Sequence, residues 1–597
     1  MSYDSFLRFA RDEGLKSLLC VLMLSFALAA IRGSEAAEWV PAKGPLMTRW
    51  AKDVSPDKAH PEYPRPQMVR ADWQNLNGLW QLELGKADDA LPAGKDLPLQ
   101  ILVPFPVQSA LSGVMKRADR LWYRRTFQVP EKWQGQRVLL HFQAVDWESA
   151  VYVNGKPLGE HRGGYDAFSF DITDALKPSG DQELIVRVFD PTSDGSQPRG
   201  KQANRARGIW YTPTTGIWQT VWLEPVPVTR IGRLLLTPDL DGSCLKLTAE
   251  GVDAANCTVQ AVARDGQADV AQATGGVDAE IQLAISKDKL KPWSPNAPFL
   301  YDLTVTLKQG DRIVDQVRSY FGMRKIDLGK DEQGKVRMRL NNEFVFQIGP
   351  LDQGFWPDGV YTAPTDEALR YDIEVTKTLG FNMTRKHVKV EPARWYYWCD
   401  RLGLLVWQDM PSGDNKTLES KVQFETELHR LVEGFRNHPS IIMWVIFNEG
   451  WGQHDTPRYV EMVKKWDPSR LVNGLSGVEV SSGAGSSRAD AKVGDVLDVH
   501  MYRHPKAPPP QPDRAGVLGE CGGLPLAYKG NSDFADGTRR YEELLQRIHG
   551  FRNSQALSAA VYTQITNVEN ERNGLLTYDR AVIQVDVGKA SSANRGQ

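Results

Sequence analysis

Two glutamates end short apolar runs in the carboxyl-terminal half of this 597-residue chain: Glu449 closes IIMWVIFNE and Glu520 closes GVLGE. Such runs read as buried strands, and a carboxylate placed where a strand meets solvent is poised for chemistry. A pair of them can divide a bond cleavage, one giving a proton while the other attacks or assists. That division requires both groups to reach one point in space, so the elements carrying them matter as much as the residues.

Beyond Arg337 the chain alternates strand and helix patterns. Eight apolar strand candidates lie at 344–348, 381–385, 404–408, 441–447, 471–475, 496–501, 516–518 and 559–565. Eight is the number that closes a (β/α)8 barrel. Helical stripes separate several of them. Leu369, Ile373, Thr376 and Leu379 share a face that stops at Gly380; Phe424, Leu428, Leu431 and Phe435 form another; Tyr541, Leu544, Leu545 and Ile548 a third. The connection at 476–487 is Ser/Gly-rich, and KAPPPQP at 506–512 is a stiff loop. In this register Glu449 follows the fourth strand and Glu520 the seventh, on opposite sides of the barrel and at its carboxyl end, where barrel enzymes build their sites. Two carboxylates flanking one sugar suit glycoside cleavage, and their separation would set the stereochemistry.

The amino-terminal half reads differently. From about Trp73 to Glu224, runs such as RLWYRRTFQV, RVLLHFQAV and ELIVRVFD lie between turn residues, with no sustained helical period, which fits a jelly-roll sandwich. A second strand-rich stretch, about Val228 to Leu328, has the length of an immunoglobulin-like sandwich. Ahead of both, Arg8, Arg11 and Lys16 precede an apolar stretch at 18–31 and small residues at 34–36, the pattern of a cleaved export signal, which predicts a periplasmic or secreted protein. The expected organisation is a signal peptide at 1–36, a sugar-binding jelly roll at 44–226, an immunoglobulin-like sandwich at 227–328 and a catalytic (β/α)8 barrel at 329–597.

Composition narrows the partners. Lys plus Arg number 72 against 74 Asp plus Glu, which points away from nucleic acid and anionic membrane surfaces, and the apolar stretch of the leader is too short to span a bilayer. Eighteen tryptophans suit sugar faces, although many must fill cores. The mature part holds Cys244, Cys257, Cys399 and Cys521, too scattered for a disulfide scaffold; Cys244 and Cys257 are either bridged or buried as single thiols. No zinc-type cluster is present, and neither metal nor cofactor is implied.

The ordered set FNEGWGQ, LGFNMTRKHVKVEPARWYYWCDRLGLLVWQDMP, DVHMY and GECGG resembles the family 2 glycoside hydrolases, which include β-galactosidases, β-glucuronidases and β-mannosidases. LNGLWQLEL, WYRRTFQVP, TTGIWQTVWLEPV and PWSPNAPFLYDL extend the likeness through the amino-terminal half. The resemblance implies that Glu449 is the general acid/base, that Asn448 hydrogen-bonds the sugar 2-hydroxyl, and that Glu520 is the nucleophile of a retaining mechanism. Tyr502 would donate a hydrogen bond to Glu520, and Arg385 would keep it ionised. Apolar walls and the neighbouring carboxylate are expected to raise the pKa of Glu449.

Further candidates for sugar contact are His387, His500, Trp407, Asp409, Trp451, Asp352 and Trp356. Each has an ordinary alternative: a core histidine, barrel filling, a helix terminus or a Gly/Pro loop. The family's Arg-x-x-His spacing is here Arg385-Lys386-His387, and Cys521 stands where an aromatic usually follows the nucleophile. Glucuronide specificity would ask for a basic cluster, with Lys386, Lys389 and Arg394 as candidates. The leading expectation is an exported retaining exo-β-glycosidase acting on an oligosaccharide or glycoside, β-galactosidase-like first and β-glucuronidase-like or another family β-glycosidase second. A non-catalytic carbohydrate-binding protein on the same scaffold would have lost a carboxylate, and both are present.

Overall fold

A computed structural model describes residues 39–87, 89–480, 486, 488–526 and 534–597. The predicted export signal therefore lies outside the described residues. Two β-sandwiches precede a barrel. In the first, a six-stranded sheet runs in the order Leu99–Val103, Gly78–Leu84, Arg120–Phe127, Gln182–Phe189, Glu148–Val153, Lys156–Arg162, beside a four-stranded sheet in the order Gln74–Asn75, Val221–Val226, Arg137–Phe142, Phe168–Asp171. Inward positions such as Trp80, Leu82, Ile101, Tyr123, Val186 and Leu223 fill its core. The second has three strands (Arg230–Asp239, Cys244–Val252, Glu280–Ala284) and four (Thr258–Asp265, Ala268–Gly276, Tyr301–Gln309, Arg312–Phe321). Burial alternates along Thr258–Asp265 and Glu280–Ala284, the period of two that one-sided burial demands. Cys244, Cys257, Cys399 and Cys521 are free, buried thiols.

The barrel strands, in chain order, are Gln347–Asp352, Met383–Lys386, Leu405–Asp409, Ile441–Asn448, Leu471–Ser476, Val496–Met501, Ala515–Gly522 and Leu557–Thr563. All ladder pairs are parallel, and the spatial order is five-four-three-two-one-eight-seven-six. Strands five and six face each other across the remaining seam, which side chains close: Asn473 Nδ2 and Ser476 Oγ donate to Asp498 at 2.7 and 2.6 Å. Strand one begins three residues later than the sequence predicts. Phe344 belongs instead to a small three-stranded sheet with Ile326–Lys330 and Val336–Leu340. Its Ile326, Met338 and Leu340 share one apolar cluster with Leu351, Met383, Leu405 and Trp407 of the barrel interior, so this sheet plugs the amino-terminal end.

Six helices of the barrel region are described, among them Asp366–Thr378, Ala393–Leu402, Leu418–Phe435 and Ala535–Ser554. Thr365 caps the first of these by accepting from the Ala368 amide, and Thr417 and Ser420 form a reciprocal capping box on the third. No helix stands between strands six and seven, where the proline-rich segment runs. Among the described residues, no helix is long and apolar enough to cross a membrane.

Charged contacts tie the second sandwich to the barrel and the two sandwiches to each other. Arg324, 2% exposed, donates to the carbonyls of Pro439, Ser469 and Ile441. Buried Glu224 of the jelly roll holds Arg65 and Arg70, and Arg70 also pairs with Asp315 at 2.7 Å.

Candidate active site

Period-two alternation decides which side chains of a barrel strand reach the interior. In strand two, Arg385 points inward while Lys386 points outward. Arg385 is 0% exposed and anchors the carboxyl-terminal layer. Its Nε and Nη2 donate to Asp409 at 3.0 and 2.8 Å, Nη2 also reaches Asn448 Oδ1 at 2.9 Å, and Nη1 reaches Glu520 Oε1 at 3.3 Å. Strands two, three, four and seven thus meet at one guanidinium.

Glu520 lies within strand seven, two residues before its end, opposite His500 of strand six. Ladder irregularities at Val499/His500 and at Leu518/Cys521 locate the bend that presents its carboxylate. Gly519 allows the approach: a Cβ there would lie 2.1 Å from Asp498 Oδ1, which instead accepts the Gly519 amide at 2.7 Å. The Tyr502 hydroxyl donates to Glu520 Oε2. Burial raises the pKa of Glu520, but His500, His387 and Arg385 outweigh it and hold the carboxyl below its usual value.

Glu449 is the first residue beyond strand four. Its φ of 48° lies in the left-handed region, as does that of Gly450, and Trp451 closes the turn through its amide to Asn448 O at 2.9 Å. A non-glycine residue held there costs about 1 kcal/mol or more, a strain that clusters at functional sites. The Glu449 side chain is 22% exposed, against 5% for Glu520. His500 Nδ1 stands between them, 3.0 Å from Glu449 Oε1 and 3.7 Å from Glu520 Oε1, so these two oxygens lie within about 7 Å of each other. His500 Nε2 is 2.8 Å from Ser476 Oγ. Ser476 Oγ donates to Asp498 Oδ2 at 2.6 Å, which links His500 to the Asp498 carboxylate through one hydroxyl.

The expected upward shift of Glu449 is not found. Burial pushes it up, yet the hydrogen bond and charge of His500, then Arg488 and Arg385, bring it below its usual value. In its half-open position the contacts with His500, Arg488 and Arg385 win over desolvation. Arg488 Nη2 is 3.6 Å from Glu449 Oε1, and its Nε donates to Gly477 O at 2.7 Å.

The remaining candidates divide. His387 is buried, with Nδ1 3.0 Å from Asp409 Oδ2, and burial lowers its pKa well below the usual value. Asp409 is the partner of Arg385 and His387, at the heart of the network. Trp451 stays at the rim, with its ring 6.3 Å from that of His387. Asn448 Nδ2 is buried without a hydrogen-bond partner, a donor free for a substrate hydroxyl.

Three candidates are corrected. Trp407 points inward one layer below Asp409, is 0% exposed, and donates to Gln347 at 2.8 Å; it fills the barrel. Trp356 packs edge-on against Trp50 with the Arg580 guanidinium 3.8 Å above its ring. Asp352 accepts from Lys386 Nζ at 2.6 Å and from the Gly354 amide at 2.8 Å, so its oxygens are committed. The suggested basic cluster dissolves for the same reason. Lys386 and Lys389 both hold Glu391, with burial lowering Lys389 to about 8, and Arg394 pairs with Asp366.

Sequence reasoning missed Asp498 and Ser476, although Asp498 stands two residues before His500 and so on the same face of strand six. It also missed the jelly roll's share. A segment at 193–211 lies across the barrel's carboxyl-terminal face: the Arg199 and Gly200 amides donate to Ser412 O at 2.9 and 3.0 Å, and Tyr211 OH donates to Glu571. Gly200, with φ 58°, is required there, since a Cβ would stand 2.3 Å from Val388 O. Trp210 meets Trp451 at a ring distance of 5.1 Å.

Comparison with known proteins decides the family. The chain matches the glycosyl hydrolases family 2 sugar binding domain over residues 73–223, glycosyl hydrolases family 2 over 229–324, and that family's TIM barrel domain over 362–507. The chain belongs to glycoside hydrolase family 2. Its relatives include a β-galactosidase of Thermoanaerobacter pseudethanolicus, 29% identical over 59% of this chain and 48% of that protein. A putative β-glucuronidase of Formosa agariphila is 29% identical over 56% of this chain and 40% of that protein. The chain thus spans about half the length of these curated relatives. A Ruminococcus gnavus β-glucuronidase solved with D-glucuronic acid shares the fold at 18% identity, with a TM-score of 0.73 over 90% of this chain and 99% of that one.

Proposed function

We propose that this family 2 chain is a retaining exo-β-glycosidase for a neutral sugar, β-galactosidase-like in its preference. The observation that carries the reading is the pair Glu449 and Glu520 on either side of one imidazole nitrogen, their facing oxygens within about 7 Å, a bound that admits the retaining separation of about 5–5.5 Å. Glu449, the more exposed, gives its proton to the glycosidic oxygen as the leaving group departs. Glu520, ionised and held by Arg385 and Tyr502, attacks the anomeric carbon and forms a glycosyl ester. Glu449 then takes a proton from water, which attacks the same carbon and releases Glu520 with the configuration retained. Asn448 Nδ2 donates to the 2-hydroxyl, a contact that strengthens in the transition state. The segment at 193–211 across the barrel face favours a pocket for a chain end. Preference for a neutral sugar rests on Lys386, Lys389 and Arg394, each committed to an internal carboxylate.

Aryl β-glycosides of galactose, glucuronic acid, mannose, glucose, fucose and arabinose test this. The galactoside is expected to turn over fastest, and Glu449→Gln or Glu520→Ala to abolish turnover. Fastest turnover of the glucuronide would replace the neutral-sugar reading. Turnover of none, or full activity in both variants, would overturn the mechanism.

A further inference from the structure

A cavity of about 570 Å³ opens beside the jelly-roll segment that lies on the barrel. Arg117, Arg199, Arg205 and Arg207 line it, with Asp194 as the opposing carboxylate among the lining residues. Trp210 lines it too, and its ring meets Trp451, two residues beyond Glu449. The cavity therefore shares a wall with the rim of the site, on the side of the residue that protonates the leaving group.

The arginines differ in their commitments. Arg117 Nη1 donates to Asn204 O at 2.6 Å and secures the segment. Arg199 pairs with Asp414 at 2.8 Å, while its Nε is buried with no hydrogen-bond partner. Arg205 and Arg207 are exposed, and among the described residues neither guanidinium forms a hydrogen bond or ion pair. Backbone bonds between Arg207 and Trp210, 2.8 and 3.0 Å, fix the turn that presents them. Elsewhere in the site region, cations are matched to carboxylates: Arg385 to Asp409, Lys386 to Asp352, Arg394 to Asp366. Unmatched forked donors next to an aromatic platform suit a planar or tetrahedral oxyanion on a sugar ring.

We infer that this cavity is a second carbohydrate subsite, on the leaving-group side, that binds a sugar bearing a carboxylate or a sulfate ester. Trp210, backed by Trp451, supports the ring, and Arg205 and Arg207 bind the anion. The direction of the subsite rests on the glycosidase reading, but the existence of an anion site does not.

Binding is measured on full-length Glu520→Ala protein by titration calorimetry with D-glucuronate, galactose 6-sulfate and neutral galactose. Both anionic sugars are expected to bind more tightly than galactose, and the added substitution of Arg205→Ala with Arg207→Ala to weaken them at least about ten-fold while leaving galactose binding in place. Preference for one anion assigns the source as uronate or sulfate. Equal affinity for all three sugars, or anion binding indifferent to the arginine substitutions in folded protein, overturns the subsite. A kinetic arm uses Glu520-intact protein with β-galactosyl-(1→4)-glucuronate and lactose. The ratio of their kcat/KM values should fall at least about ten-fold in the double variant. If neither disaccharide is cleaved while the anions bind, the glycosidase reading fails and the anion site stands.

Discussion

The interior of one barrel is built in two opposite ways. At the amino-terminal end, Leu351, Met383, Leu405 and Trp407 close on the plug residues Met338 and Leu340. At the carboxyl-terminal end, strands two, three, four, six and seven present Arg385, Asp409, Asn448, Asp498, His500 and Glu520. Both layers are buried, so burial alone does not tell a site from a core. The difference lies in what satisfies each side chain. The lower layer gains from apolar burial at about 25 cal/mol per Å². The upper layer keeps charges out of water, an arrangement that is weak as a source of stability and tolerable only while each charge is paired.

The sharpest way to break this contrast is Arg385→Met. It leaves Asp409 buried without its partner and Glu520 without a cation, so kcat/KM should fall by about 10²- to 10³-fold. Unfolding stability should fall by about 3–5 kcal/mol, and adding Asp409→Leu should restore stability without restoring activity. The pH dependence has a definite sign. Glu520 sits below its ordinary value of 4.5 in the folded chain, so the stability it contributes is present above pH 4.5 and is lost as pH falls through the lowered pKa. Removal of Arg385 raises that pKa and shifts the acid limb of kcat/KM upward, measurable in a pH–rate profile.

Trp407→Ala probes the other layer. Loss of the ring should cost about 3–5 kcal/mol and leaves the Gln347 carbonyl without its donor, yet kcat of the remaining folded protein should stay close to that of the parent. A drop in kcat as large as that of Arg385→Met would erase the distinction between the layers. Arg488→Met is the mildest change. With one cation fewer beside it, Glu449 rises toward its usual pKa, and the basic limb of kcat/KM should move to higher pH with little change in stability.

Much of the barrel was legible because parallel strands buried on both faces read as continuous apolar runs, and IIMWVIFN is one. Strand one was harder. FVFQIGPLD is mostly apolar with no turn residue between Phe344 and Ile348, and nothing local tells that Phe344 pairs with the plug while Gln347 begins the barrel ladder. Glu449 and Glu520 were found because each ends an apolar run with a charge. Trp407 was misplaced for a geometric reason: Leu405, Trp407 and Asp409 all point inward, and only their depth along the barrel separates filler from network. The direction of the Glu449 shift was missed because Arg488 comes from the loop after strand five and His500 from strand six, both distant in sequence. Trp210 lies more than two hundred residues from Trp451, and only the docking of the jelly-roll segment brings them together.

Azide rescue of the two glutamate variants tests the division of labour most directly. With an activated aryl glycoside, Glu520→Ala plus azide should give the glycosyl azide of inverted configuration, and Glu449→Ala plus azide the retained one, distinguishable by proton NMR of the anomeric centre. The same anomer from both variants, or rescue of neither, would contradict the assignment of Glu520 as nucleophile and Glu449 as acid/base.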